Sequence, residues 1–288
     1  MYAAYFGLKE NPFRLSPEPG YLFLSEQHRD ALNHMIYGIA EKKGFMLISG
    51  NIGTGKTTIC RVLLTLMEGL VETALIFNTA ISDMELLETI CREFGIVLTG
   101  ESRTKKAYVD ALNEFLLGNF ARGRKAVLLI DEAQNLSHGV LDQIRMLSNL
   151  ETDKEKLLQI VLVGQPELKA ALALPALRQL NERITVRCEL WPLSIHDVER
   201  YIAHRLKVAG GPGKIQITPG AYYLIYYFSE GIPRRINALC DRALLIAYEK
   251  NLTKIDRKMV RPAERDIGKE YFQKTVSPAK KFWRRLTA

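Results

Sequence analysis

Residues 45–57 read Phe45-Met46-Leu47-Ile48-Ser49, then Gly50-Asn51-Ile52-Gly53-Thr54-Gly55-Lys56-Thr57: an apolar run that breaks into a glycine-rich loop closed by a cation and a hydroxyl. Behind it, Thr58 to Leu70 spaces its apolar residues as a helix does. Strand, glycine loop and helix in that order form the context in which this spacing holds phosphate. Gly50, Gly53 and Gly55 permit positive φ and close approach, so successive backbone N–H groups can face one concavity. The start of the following helix adds its partial positive charge there. Lys56 is the mobile cation for the β- and γ-phosphates, and the Thr57 hydroxyl is a ligand for Mg²⁺. Residues Gly50 to Thr58 are thus the candidate cradle of a nucleoside triphosphate such as ATP.

A second signal lies downstream. Ala126-Val127-Leu128-Leu129-Ile130 is apolar without alternation, as suits a strand buried on both faces of a parallel sheet, and Asp131-Glu132 closes it. Ligands of such sheets bind outside the carboxyl ends of the strands. Asp131 is therefore expected to hold the metal and Glu132 to polarise an attacking water. The alternative is an acidic pair that merely ends a strand.

Outward from these stretches the chain alternates strands and helices. A helix is expected over 26–41, with Ser25 as its N-cap, and further strands near 73–77, 159–163 and 184–188. From Trp191-Pro192 onward only helical patterns follow, punctuated by Gly210-Gly211-Pro212-Gly213 and Gly231-Ile232-Pro233. The expected fold class is α/β, a doubly wound parallel sheet followed by a small all-helical domain. The expected divisions are 1–25, an extended segment packing on the α/β core; 26–190, that core; 191–272, the helical domain; and 273–288, a basic-aromatic tail.

Composition narrows the setting. At 288 residues and 47% hydrophobic, the chain can build a substantial core. No apolar run is long enough to span a bilayer, and no basic-then-apolar leader opens the chain, so a cytoplasmic location is expected. The four cysteines lie far apart without metal-ligand spacing and read as buried reduced thiols. The net charge is +8, yet eleven Lys/Arg against four Asp/Glu fall between Lys254 and the end, so the body of the chain is nearly neutral. A broadly basic surface for nucleic acid is not indicated.

The loop and acidic pair, followed by a helical region carrying Gly231-Ile232-Pro233-Arg234, resemble the AAA+ P-loop NTPases. The likeness is closer to the ExeA-type (general secretion pathway protein A) branch. Its marks are Tyr5-Phe6-Gly7-Leu8 through Asn11-Pro12-Phe13, Tyr21-Leu22-Phe23-Leu24-Ser25 with His28, and Ile130-Asp131-Glu132-Ala133-Gln134. They continue with Leu162-Val163-Gly164-Gln165-Pro166-Glu167-Leu168, Trp191-Pro192-Leu193-Ser194 and Gly231-Ile232-Pro233-Arg234-Arg235-Ile236-Asn237. Together they cover about residues 1 to 270. Longer members of the branch continue into a membrane span and a peptidoglycan-binding module, which this sequence does not include.

The resemblance implies further roles. Gln165 takes the sensor-1 place, near the γ-phosphate or the attacking water. Arg183 takes the place of the arginine finger that reaches a neighbouring subunit's nucleotide, with Arg178 as competitor and ordinary salt bridging as the plain alternative. Arg234 matches the sensor-2 arginine of the helical lid, with Arg235 beside it. Asn78 would restrain Glu132, or simply end a turn. His28 would lie near the adenine pocket.

The resemblance also implies a homo-oligomer, a ring in most relatives, serving an inner-membrane component of a type II secretion or type IV pilus-like system. The alternatives are an ATP-dependent DNA-binding regulator like the transposition target-selection ATPases, and a nucleotide-gated switch with negligible turnover. Two features stand apart. Tyr222, Tyr223, Tyr226, Tyr227 and Phe228 read as lid packing before they read as a base-stacking surface. Lys280-Lys281-Phe282-Trp283-Arg284-Arg285 combines cations with aromatics, as anionic membrane surfaces or a membrane-protein partner attract, ahead of a nucleic-acid backbone, with a solvated end as the plain alternative.

Overall fold

The computed structural model describes residues 2–271, apart from 17, 78, 99–102, 154 and 212. In chain order come α1 (Tyr2–Phe6), α2 (Glu26–Ala40), β1 (Phe45–Gly50), α3 (Lys56–Met67), β2 (Val71–Ile76), α4 (Asp83–Glu93) and α5 (Lys105–Ala121). Next are β3 (Lys125–Ile130), α6 (His138–Leu147), β4 (Leu158–Gly164), α7 (Pro166–Leu172), α8 (Arg178–Arg183) and β5 (Ile184–Leu190). The chain then runs through α9 (Ile195–Val208), β6 (Gln216–Ile217), α10 (Pro219–Ser229), α11 (Pro233–Glu249), β7 (Lys254–Ile255) and α12 (Arg257–Tyr271). It divides into two units: Pro17–Trp191, and the residues up to Ser16 together with those from Pro192 onward.

The Pro17–Trp191 unit is a five-stranded parallel sheet in the order β2-β3-β4-β1-β5. Residue choice explains that order. β1, β4 and all of β3 after Lys125 are buried, as central strands covered on both faces must be, whereas the flanking β2 and β5 mix buried and more accessible residues. Alternate side chains feed two cores. Leu128, Ile130, Ile160 and Leu162 join apolar residues of α4, α5 and α6, while Val127, Leu129, Val161 and Val163 join those of α2 and α3. A sheet covered this way leaves its strand ends as the place for chemistry. The three middle strands bring the loop after β1, Asp131 after β3 and Gln165 after β4 to the same carboxyl edge.

Among the described residues the second unit is helical except for a two-residue parallel ladder between β6 and β7, which ties the chain before α10 to the chain after α11. It also corrects the expectation for the opening segment. Tyr2–Phe6 is helix rather than extended chain, and the residues up to Ser16 group with the helical unit instead of the α/β core. The cause is local. Tyr5 lies edge-on to Tyr248, and the Lys9 N–H donates to the Ala209 carbonyl at 2.8 Å. Buried Arg205 collects the carbonyls of Pro12 and Arg14, which no regular element would satisfy, at 2.5 and 3.3 Å. Only residues from 17 on group with the α/β unit, where the turn Pro19–Tyr21 lies against α3.

Candidate active site

β1 ends at Gly50, and that position has no room for a side chain: a Cβ there would stand 2.6 Å from the Leu190 carbonyl oxygen and 2.9 Å from Thr54 Oγ1. The loop closes on itself, because the Thr54 N–H and hydroxyl both donate to the Asn51 carbonyl, at 3.3 and 2.9 Å. Gly55, at φ 102°, turns the chain into α3, whose first N–H groups have no intrahelical partner. Lys56 is buried and folds back so that Nζ donates to the carbonyls of Gly50 at 2.8 Å and Asn51 at 3.1 Å. Burial pushes its pKa down; Glu132 and then Asp131 pull it partly back.

Across from the loop, Thr57 Oγ1 donates to Asp131 Oδ2 at 2.7 Å, and the other carboxylate oxygen of Asp131 accepts the Glu132 N–H at 2.9 Å. Asp131 is itself buried. A hydroxyl and a carboxylate held together are hard oxygen donors of the kind Mg²⁺ takes alongside water and phosphate, so these residues fit that ion. Glu132 occupies the left-handed region at φ 53°, unusual for a residue with a side chain. Its Oε2 accepts from Gln134 Nε2 at 2.6 Å and from Gln165 Nε2 at 3.1 Å.

The sequence alone assigns Gln134 no role. Its Oε1 accepts the Gln165 N–H at 3.0 Å, which orients the amide so that its NH₂ end faces Glu132. The one sequence signal for it is its place two residues past the acidic pair, inside the 3-10 turn Ala133–Asn135.

The remaining candidates separate. Arg183, at the end of α8, is turned to the end of α6, where Nη1 donates to the Arg145 carbonyl at 3.2 Å, to Asn149 Oδ1 at 2.8 Å and to Ser148 Oγ. Arg178 is exposed and pairs with Glu182 at 2.8 Å. Arg234 sits in the first turn of α11, exposed and without an ion pair among the described residues, while Arg235 pairs with Glu230 at 2.5 Å. Both belong to the helical unit. His28 is buried against the loop itself: its Nε2 lies 2.9 Å from the Thr54 carbonyl. Ser25 occupies the N-cap position of α2 yet makes no cap bond, since its hydroxyl is taken by His28 Nδ1 at 2.5 Å. In the aromatic cluster Tyr223 is exposed and stacks on Tyr227 with centroids 6.4 Å apart. Asn78 and Lys280–Arg285 lie outside the described residues. No helix among the described residues is long and apolar enough to cross a membrane.

A family model described as AAA domain matches residues 39–172, from the end of α2 through α7. General secretion pathway protein A of Aeromonas hydrophila is 48% identical over 255 residues, which is 88% of this chain and 46% of that protein. The chain thus spans about half the length of that relative. An uncharacterized HTH-type transcriptional regulator of Methanocaldococcus jannaschii is 29% identical over 145 residues, 49% of this chain and 35% of that protein. Among solved structures, Cdc6p of Pyrobaculum aerophilum superposes with a TM-score of 0.66 at 17% identity, covering 92% of this chain and 71% of that one. Aeropyrum pernix ORC1, solved in complex with DNA, gives 0.64 at 20% identity, covering 90% and 69%. At those identities the superpositions speak to the fold alone. Fold, phosphate loop and the long likeness to a general secretion pathway protein agree, and the chain belongs to the ExeA-type branch of the AAA+ P-loop ATPases.

Proposed function

We propose that this chain binds ATP with magnesium, hydrolyses it as a homo-oligomer, and uses the cycle to power or regulate assembly of a bacterial envelope machine, a type II secretion or type IV pilus-like system. The observation that carries the chemistry is the Glu132 carboxylate, anchored through one oxygen by two amides beside the Thr57–Asp131 pair. With Oε2 occupied, Oε1 is the oxygen left to accept a proton from a water attacking the γ-phosphorus. Residues Gly50 to Thr58 cradle the phosphates through backbone N–H groups, and Lys56 exchanges its two loop carbonyls for phosphate oxygens. Thr57 and Asp131 would hold Mg²⁺, which when bound neutralises charge on the β- and γ-phosphate oxygens. Gln165, bonded to Glu132, keeps the water-activating group in register with the γ-phosphate.

Arg183 as the finger and Arg234 as the nucleotide-state reporter belong to the assembled oligomer in this reading. Replacing Arg183 by Ala should leave ATP binding intact and abolish turnover that depends on oligomerisation; loss of ATP binding by the monomer would remove the finger role. The envelope task rests on the likeness to general secretion pathway protein A. The tail Lys280–Arg285 would meet an anionic membrane surface, so liposome flotation should weaken when residues 277–288 are removed.

The likeness to a transcriptional regulator favours a second reading, an ATP-dependent DNA-binding regulator. ATPase measurements with and without duplex DNA separate the two. DNA stimulation with salt-sensitive retention supports the regulator, and its absence supports the envelope role.

A further inference from the structure

The phosphate loop is held from outside by a side chain with no part in the chemistry so far described. His28, in the first turn of α2, is 4% exposed, and its neighbours Ser25 and Thr54 are 1% and 0% exposed. Its Nε2 lies 2.9 Å from the Thr54 carbonyl oxygen, and its Nδ1 lies 2.5 Å from Ser25 Oγ. A carbonyl only accepts, so Nε2 must carry a hydrogen and donate it. Ser25 supports this at a cost to its own helix, because its hydroxyl serves His28 rather than capping α2.

The consequence follows from the peptide group. The Thr54 C=O and the Gly55 N–H belong to one planar trans unit and point in opposite directions. Fixing the carbonyl on His28 therefore aims the Gly55 N–H away from α2, to the side where α3 begins. Gly55 also resists replacement. At φ 102° only glycine is unstrained, and a Cβ there would approach His28 Nε2 to 3.2 Å. Unanchored, this peptide would be free to rotate, because glycine on one side leaves both orientations open.

We propose that His28, oriented by Ser25, is a positioning residue that sets the Thr54–Gly55 peptide of the phosphate loop so that the Gly55 N–H donates to a nucleotide phosphate. This rests on the reading of the loop as the nucleotide site, and the experiment separates the two. Calorimetric titration of the full chain with ATP, with magnesium and again in EDTA, tests the loop first: if the wild-type protein takes up no nucleotide in either, the loop reading fails, whatever His28 does.

Given wild-type binding, His28→Ala should weaken it about tenfold, since one buried acceptor loses its donor and one phosphate bond loses its alignment. The amide of Gln reaches where Nε2 stands, whereas that of Asn reaches only to Nδ1. His28→Gln should therefore bind within roughly threefold of wild type and His28→Asn as weakly as Ala. Ser25→Ala should weaken binding roughly threefold and gives the same test if His28→Ala fails to fold.

Two readouts need no nucleotide. Long-range ¹H–¹⁵N spectra of His-labelled protein should show His28 Nε2 protonated. Hydrogen exchange at Gly55 to Thr58 should be faster in His28→Asn than in His28→Gln. Equal affinities for the Gln and Asn variants, wild-type affinity in Ser25→Ala, or an unprotonated Nε2 would each overturn the proposal.

Discussion

Glu132 combines a left-handed backbone with a carboxylate tied at one oxygen, and both features serve to aim the other oxygen. Glu132→Gln is expected to keep nucleotide affinity within about twofold while turnover falls at least roughly a hundredfold, the usual size of a lost general base. Gln134→Ala removes one of the two anchors and should lower kcat about tenfold with KM nearly unchanged, because the carboxylate gains freedom without losing its charge. A Gln134→Ala enzyme with a raised KM and normal kcat would show instead that Gln134 shapes binding.

The acidic pair was legible in the sequence because a buried strand ended at it. Gln134 was not, because its worth depends on Gln165, 31 positions away, presenting a backbone N–H that decides which end of the amide faces Glu132. His28 was legible as a mark of resemblance only; its contact with Thr54 exists because α2 packs on the sheet beside the loop. The cysteines read more simply. Burial pushes the thiols of Cys91 and Cys188 up to about 11, and those of Cys60 and Cys240 higher still. The native protein should thus resist iodoacetamide at pH 8, and all four thiols should react in denaturant, as mass spectrometry would count.

Among the elements, the central strands were readable from apolar runs alone, and their observed bounds differ from expectation by a residue or two. Helix ends depended on side chains that the pattern leaves ambiguous. Ser82 caps α4 through a reciprocal capping box with Glu85, whereas Ser25, equally plausible by sequence, is diverted to His28. Arg183 shows how one residue can belong to two elements. Its guanidinium gathers three acceptors at the end of α6, the Arg145 carbonyl and the side-chain oxygens of Ser148 and Asn149, where the helix dipole favours a cation. Arg183→Ala should therefore lower stability by about 1–2 kcal/mol in urea unfolding, in addition to any effect on turnover. Unchanged stability would mean that the contact with α6 contributes little, leaving Arg183 available to a neighbouring subunit.

For the whole molecule, the α/β class followed from the alternation of patterns and the helical region from its change of period. The allegiance of the first sixteen residues did not follow. Their aromatics could have covered any apolar surface, and partners such as Arg205, Ala209, Asp241 and Tyr248 decide which. Phe6 is fully buried, so Phe6→Ala should destabilise the helical unit by about 3–5 kcal/mol. Hydrogen exchange should report that loss in α11 and spare β1, β3 and β4; uniform loosening of both units would count against the division.

Because Tyr2 and Asn11 meet Asp241 across more than two hundred intervening positions, the α/β unit is an insertion within the helical one. On the ribosome the opening residues must wait, unpaired, while the entire inserted unit emerges and folds ahead of them. The helical unit completes its own fold only with the closing of that long loop.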